Sequence, residues 1–384
     1  MKKVLKLAYF LWLFYFLLAP FFSFSQEKEQ KEQPKLDLGG ALRFNYIYST
    51  WKAEQKAKGG EFGYDMFRIN AKASYKKVFL NAEYRLYSDA FGGGFLKQGW
   101  VGYQFNEKNQ LHLGLVYVSF GIKQYNSHNW FFNITYYVGL EDDHDMGIKY
   151  LHTDENWEYA FAFFKNAEEL NFGGGMENNS SRYSYDVVGR NKETNQFNGK
   201  IVRKFGESIQ HKIGFSAQYG SLYNLDTQKN GNHYALGLHY EFDWKKWNLK
   251  SEIITVSHSP KNKEGQSNKI IKMGAYGTSY EVASEFNMFT FALSRKIEVE
   301  WGPISQIEVY NDFGYMQKKK KEFTDSMMNV TGMLVTAGQL YTYIDYAAGY
   351  NHSWLGGNFI DDFSSGNPDE TWEVRFNINI GYYF

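Results

Sequence analysis

Arg43, Arg68, Lys72, Arg85 and Lys97 recur within the first hundred residues, each set among residues of alternating polarity. Cations at alternate positions of neighbouring strands would line one face of a sheet, and between low-dielectric walls such a face concentrates anions. Further on, Lys123 precedes the ring-rich stretch Trp130-Phe131-Phe132, and the run Glu141-Asp142-Asp143-His144-Asp145 crowds carboxylates around an imidazole. We assign Asp142 and Asp143 the part of counter-charges to the cationic face. Carboxylate and imidazole are also competent ligands for a divalent ion. An acidic loop base is the plainer reading of that run, and we expect no metal and no cofactor. Lys149, Lys200, Lys212 and Lys250 continue the cations, but Glu83, Glu158, Glu241, Asp243, Glu252, Glu308 and Glu373 fall on the same polar positions. The balance favours a mixed-charge wall paired across strands over a pure anion filter. His112, His211, His233 and His239 have no neighbouring nucleophile that would mark a catalytic constellation, so no enzyme is expected. Lys318 to Lys321 form a tetralysine, read as a solvated outer turn.

The elements that must carry these residues are strands. Aromatics make up 19% of 384 residues, yet the mean hydropathy is −0.53. Rings that alternate with polar residues require a two-faced strand. The last segment does so throughout, with Trp372, Val374, Phe376, Ile378, Ile380, Tyr382 and Phe384 on one face and Glu373, Arg375, Asn377 and Asn379 on the other. The first does the same over Leu36, Leu38, Leu42, Phe44, Tyr46 and Tyr48 against Asp37, Arg43, Asn45 and Ser49. Only 5 prolines interrupt the chain and 36 glycines serve its turns. There is no Cys, which removes disulfides, thiolate metal sites and a lipid-modified Cys. Lys+Arg and Asp+Glu are both 42, so bulk charge gives no reason to expect a nucleic-acid partner.

Residues 1–25 read as a cleaved signal peptide: Lys2, Lys3 and Lys6 precede an apolar run from Leu7 to Phe22 and a small-residue site at Ser23-Phe24-Ser25. Residues 26–35 form a charged linker, and residues 36–384 the barrel. Past residue 25 no long apolar run follows, and a membrane protein without apolar helices has one option left, a closed β-barrel. The expected architecture is therefore all-β, a transmembrane antiparallel barrel in a Gram-negative outer membrane. Strands of about 9–11 residues suit a tilted crossing. The raw count is about seventeen; paired termini demand an even number, so we expect about sixteen, with eighteen the alternative. The difficulty lies between Lys269 and Glu308. Short connections such as Lys76-Lys77 and Lys245-Lys246 alternate with long ones at 51–63, 118–144, 164–194 and 351–370. We expect 118–144 to narrow the lumen and 164–194 to be a flexible outer loop. The 35 residues before the first strand leave no room for a plug-sized domain.

The strand Leu111–Val118 running into Phe120-Gly121, the stretch Leu340 to Tyr346 with Gly349-Tyr350, and the terminal Gly381 to Phe384 resemble the phosphate-selective porin O/P family. Ser119 stands where that family often has Pro. The resemblance implies a sixteen-stranded channel, a homotrimer, and passage of small hydrophilic solutes or anions such as phosphate. It also implies that Phe384 is a signal to the barrel-assembly machinery, with membrane lipid and lipopolysaccharide as surroundings. A surface or adhesion barrel, or a barrel enzyme, is the alternative.

Overall fold

The structure, a computed structural model, describes residues 33–168 and 175–384. The signal peptide at 1–25 and residues 26–32 of the linker lie outside the described residues.

The alternating segments become strands β1 (Lys35–Ser49), β2 (Glu61–Tyr75), β3 (Val78–Leu86), β4 (Gly94–Asn106), β5 (Asn109–Tyr117), β6 (His144–Thr153) and β7 (Trp157–Asn166). After a short β8 (Asp186–Val187) come β9 (Asn191–Phe205), β10 (Gln210–Asn224), β11 (Lys229–Trp244) and β12 (Trp247–Ser259). The chain continues through β13 (Ile270–Ala275), β14 (Thr278–Ala283), β15 (Glu285–Trp301) and β16 (Ile304–Lys318), and ends with β17 (Ser326–Ala337), β18 (Leu340–Tyr350) and β19 (Glu373–Tyr383). Sixteen of these pair antiparallel with their neighbours, and β19 closes on β1 to form a barrel. Closure leaves no unpaired edge, the condition for a sheet in hydrocarbon.

The two faces separate as the alternation requires. Leu36 and Phe197 point outward, 67% and 62% exposed, while Ala235, Met288 and Val330 point inward at 0%. Tight connections at 76–77, 107–108, 245–246, 302–303 and 338–339 gather at one end, here the turn end, with both termini of the barrel. The opposite, loop end carries the long segments, although the β10–β11 connection there is only 225–228. Residues Ala53–Lys58 of the first long connection form a helical turn, α1.

Two segments depart from the expectation. β13 and β14, which made the count uneven, leave the barrel wall and pair with β8 in a separate three-stranded sheet. Their alternation is real but serves a loop sheet, whose Ile271, Met273 and Val282 are buried. The segment 164–194 is likewise not a free outer loop: β7 runs on to Asn166, and Tyr183, Tyr185 and Val187 are buried. Lys318, expected in a solvated turn, is buried, and its Nζ donates to the Asp362 carbonyl at 2.6 Å.

The barrel seam ends on a close backbone contact. Gly40 N–H donates to the Phe384 carbonyl at 2.7 Å, and Phe384 N–H donates back to Gly40 at 3.1 Å. A Cβ on Gly40 would meet the Arg68 carbonyl oxygen at 2.4 Å and the Phe384 ring at 2.8 Å. We expect Gly40→Val to lower stability by about 1–3 kcal/mol, read as a fall in the urea midpoint of the refolded barrel. Gly63→Ala, whose added Cβ meets nothing within 4 Å, should leave the midpoint unchanged.

Candidate functional site

Residues 118–143 turn into the lumen instead of out to solvent. A segment folded inward carries backbone donors and acceptors that need partners, and each one stranded in a dry space costs free energy. The charged residues of the wall meet that need. Lys149 Nζ donates to the Tyr117 carbonyl at 2.6 Å, and Lys250 Nζ donates to those of Tyr125 and Ser127 at 3.0 Å. Lys200 Nζ donates to the Gly121 carbonyl. Carboxylates take the opposite part. Glu252 accepts Ile122 N–H at 2.5 Å and Asn126 Nδ2 at 2.6 Å. Asp312 accepts the backbone N–H of His128 at 2.7 Å and of Asn129 at 3.1 Å, and also His128 Nδ1 at 2.8 Å and Asn129 Nδ2 at 2.6 Å. Asp345 accepts Trp130 N–H at 3.3 Å.

The apolar side of the segment packs as firmly. Phe120, Phe131, Ile134, Tyr136, Tyr137, Val138 and Leu140 share one core with the inward-facing Ile254, Val256, Met288, Met316 and Val330. Gly314 of β16 leaves the seat for this packing, since a Cβ there would lie 2.5 Å from Ile134. Tyr185 and Val187 near β8, Ile271 and Met273 of β13, and Leu355 and Phe363 join the same core from the other loops. The loop-end lumen wall thus carries an apolar patch on β11, β12 and β15 to β18, where a wet wall was expected.

The charges foreseen as a selectivity stripe divide into three groups. Arg43 and Arg85 stand on the lumen wall: Arg43 Nε meets Asp65 at 2.9 Å, and Arg85 Nε meets Glu83 at 2.6 Å. Arg68 lies 3.9 Å from Glu83 and stacks on the Tyr383 ring at 5.1 Å. Lys72 and Lys123 are exposed and line neither cavity described below. Lys97, expected in the stripe, is buried on Asp142 at 2.6 Å. Asp142 and Asp143 are correspondingly not counter-charges facing a permeant, being 1% and 7% exposed. Asp142 also accepts the Tyr183 hydroxyl at 2.6 Å, and that hydroxyl accepts Arg85 Nη1 at 3.1 Å. The network Lys97–Asp142–Tyr183–Arg85–Glu83 ties the base of the inward segment to β3 and β4. Burial opposes ionisation of Asp142, but Lys97, with His144 and Arg85, outweighs it and holds the pKa below its usual value. Phe384 sits outward at the seam, 59% exposed. Within the run 141–145, His144 Nδ1 faces the Asp142 carbonyl at 3.0 Å.

Two cavities in the lumen adjoin the inward segment. The one at the loop end, about 510 Å³, is walled by Tyr87, Trp130, Phe132, Tyr136, Tyr183, Tyr276 and Trp354 with Arg43, Arg85 and Arg375. The one at the turn end, about 690 Å³, is walled by polar groups including Arg68, His128, Glu241, Asp243, Lys250, Lys296 and Glu308. They share Arg43, Arg85, Trp130 and Phe132. Those four residues line both chambers and mark the partition between them, two guanidiniums from the wall and two rings from the inward segment. Trp130 and Phe132 fall in the ring-rich stretch noted in the sequence. Tyr183, Tyr276 and Trp354 come from distant loops, and nothing local in the sequence marked them.

A closed sixteen-stranded antiparallel barrel narrowed by an inward segment after its fifth strand defines a porin-type fold. Among the solved structures similar to this chain in fold are three. OmpT of Vibrio cholerae, an outer-membrane protein in its trimer form, is 12% identical, with a TM-score of 0.56, over 92% of this chain and 100% of that one. An anion-selective porin from Comamonas acidovorans is 11% identical with a TM-score of 0.58, over 92% and 100%. The outer membrane channel DcaP of Acinetobacter baumannii is 9% identical with a TM-score of 0.58, over 94% and 100%. At these identities the likeness is one of fold. No family model matches the chain, and no curated protein matches it either.

Asp312→Ala strands the buried donors of His128 and Asn129. We expect it to cost on the order of 3 kcal/mol and to speed amide exchange over residues 126–130, measured by hydrogen exchange. Glu141 gives a pH dependence. Burial pushes its carboxyl up to about 8, Glu252 adding to the shift and hydrogen bonds from Thr135 and Asn126 opposing it. The folded segment holds this proton more tightly than the unfolded chain. The associated stability is therefore full below the ordinary value of 4.5 and is lost as pH rises through about 8. Exchange over 120–140 should quicken between about pH 5 and 8 beyond its intrinsic rise, and Glu141→Gln should remove that excess.

Proposed function

We propose that this chain is an outer-membrane porin, exported by a cleaved signal peptide at 1–25, that passes small hydrophilic solutes by diffusion with a mild preference for anions. The observation that carries the reading is the partition marked by Arg43, Arg85, Trp130 and Phe132, which line both chambers. A solute crossing there meets guanidiniums and rings. Arg43, Arg68, Arg85, Lys250 and Lys296 outnumber Glu241, Asp243 and Glu308 around the turn-end chamber. Arg43, Arg85 and Arg375 outnumber Glu61 and Asp65 around the other. An excess of fixed cations between low-dielectric walls raises local anion concentration. Phosphate is the anion that the O/P resemblance adds. The reading includes a homotrimer, supported by the trimer form of the Vibrio cholerae relative in fold. It also includes recognition of Phe384 by the barrel-assembly machinery.

We assign the chain no catalysis. Ser216 Oγ does lie 3.2 Å from His239 Nε2, but that hydroxyl also accepts the Gly121 N–H at 3.1 Å. Ser216 is 0% exposed, so a substrate would not reach it. The Ser–His contact holds the inward segment.

The test is single-channel conductance of the refolded chain in a planar bilayer. Wild type should give stable ohmic steps, and Trp130→Ala with Phe132→Ala should raise the step size. Arg43→Gln with Arg85→Gln should cut the chloride-to-potassium permeability ratio by about twofold. A folded barrel that passes no current would end the channel reading and shift weight to a surface-adhesion or enzymatic role.

A further inference from the structure

A second set of residues, away from the partition, has the make-up of a metal site. Glu193 of β9, His233 of β11 and His258 of β12 place one donor atom each within 4.8 Å of one another. The sheet register brings this about: His233 and His258 are direct cross-strand partners, and their rings stack 5.8 Å apart at 9°. His233 Nδ1 stands 3.4 Å from Glu193 Oε1. Both imidazoles are buried, His233 at 1% and His258 at 6% exposed. His258 Nδ1 and His233 Nε2 lack a hydrogen-bond partner, and such orphaned buried groups need an explanation.

The surroundings point the same way. His258 and Glu193 border a closed void of about 10 Å³, room for one water-sized body. Asp143, Asp186 and Gln196 border it too, and Gln196 Oε1 also lacks a partner. Asp145 and Glu168 lie in electrostatic reach, which makes five carboxylates with Asp143, Asp186 and Glu193. Among the described residues, the ion pairs inside this group are those of Arg182 with Glu168 and Asp186, and the His233–Glu193 contact. Five carboxyl groups around one guanidinium are more buried acid than one cation neutralises, so protons or a bound cation must make up the difference.

We propose that Glu193, His233 and His258 bind one divalent cation of the zinc class. Two imidazoles and a carboxylate are a donor set that suits zinc, and the void leaves a fourth position for water. Around the ion the donors would draw in to about 3.4 Å apart, the tetrahedral spacing for bonds near 2.1 Å. Bound there, the cation joins β9, β11 and β12 to Val138, Leu140 and Asp143 of the inward segment, which border the same void. It acts as a clasp on the segment that narrows the lumen. The proposal does not depend on the chain being a channel.

The experiment uses the untagged, refolded barrel, stripped with chelator and titrated with zinc chloride, with bound metal read by mass spectrometry. One zinc per chain and a raised unfolding temperature are expected, since a ligand of the folded state alone stabilises it. His258→Ala and Glu193→Gln should each weaken binding by at least about tenfold. His211→Ala, on β10 but bonded to Tyr240, should bind as wild type. Heat-modified gel migration verifies that each variant is folded, and Glu193→Gln, which keeps the side-chain volume, gives the comparison if the alanine variant fails to refold. Absence of saturable one-to-one binding by wild type overturns the proposal, as does unchanged binding by a folded variant at either ligand.

Discussion

The structure depends on how an irregular segment can lie inside a barrel. Residues 118–143 bring a run of peptide groups into a space walled by protein, and peptide groups out of water must be paired. The wall answers with long cations for the carbonyls and short carboxylates for the N–H groups. Lys149, Lys200 and Lys250 take the first part, and Glu252, Asp312 and Asp345 the second. Charges that a linear reading assigns to selectivity are thereby spent on positioning.

Once those charges are engaged, the electrostatics of the lumen reduce to fewer groups. Lys97 and Asp142 neutralise each other in a buried pair. Arg43 and Arg85 keep carboxylate partners on their own side of the wall while lining both chambers. The inward segment adds the rings of Trp130 and Phe132 to the lining that the chambers share, so the partition is built of guanidiniums and rings. Guanidinium planes and ring faces both suit flat solutes.

The loop end is organised differently from the turn end. There the barrel interior carries an apolar patch on β11, β12 and β15 to β18, and four loop segments cover it with a shared core of Tyr, Phe, Met and Val. A small separate sheet of β8, β13 and β14 belongs to that filling. The turn-end chamber stays polar. The division follows from which half of each strand the loops cover, since covered positions do best as Ala, Met or Val and open ones as charged groups.

The sequence by itself determined the barrel. Alternation over Leu36–Ser49 and Trp372–Phe384 is a local property of each strand, and the absence of apolar helices past residue 25 left closure as the arrangement for such strands in a membrane. That residues 118–144 narrow the lumen was an expectation from their place after the fifth strand, and their conformation was not legible. Tertiary structure alone decided what the charges do. A period of two says that Lys200, Glu252 and Glu83 point inward, and nothing in it says whether the inward space holds water or another part of the chain. It also cannot separate a barrel strand from β13 or β14, which alternate equally well around a loop core. The aromatic wall built from Tyr183, Tyr276 and Trp354 and the cluster of Glu193, His233 and His258 exist only through contacts between segments far apart in sequence. Such contacts are set by register and closure, which no single strand encodes.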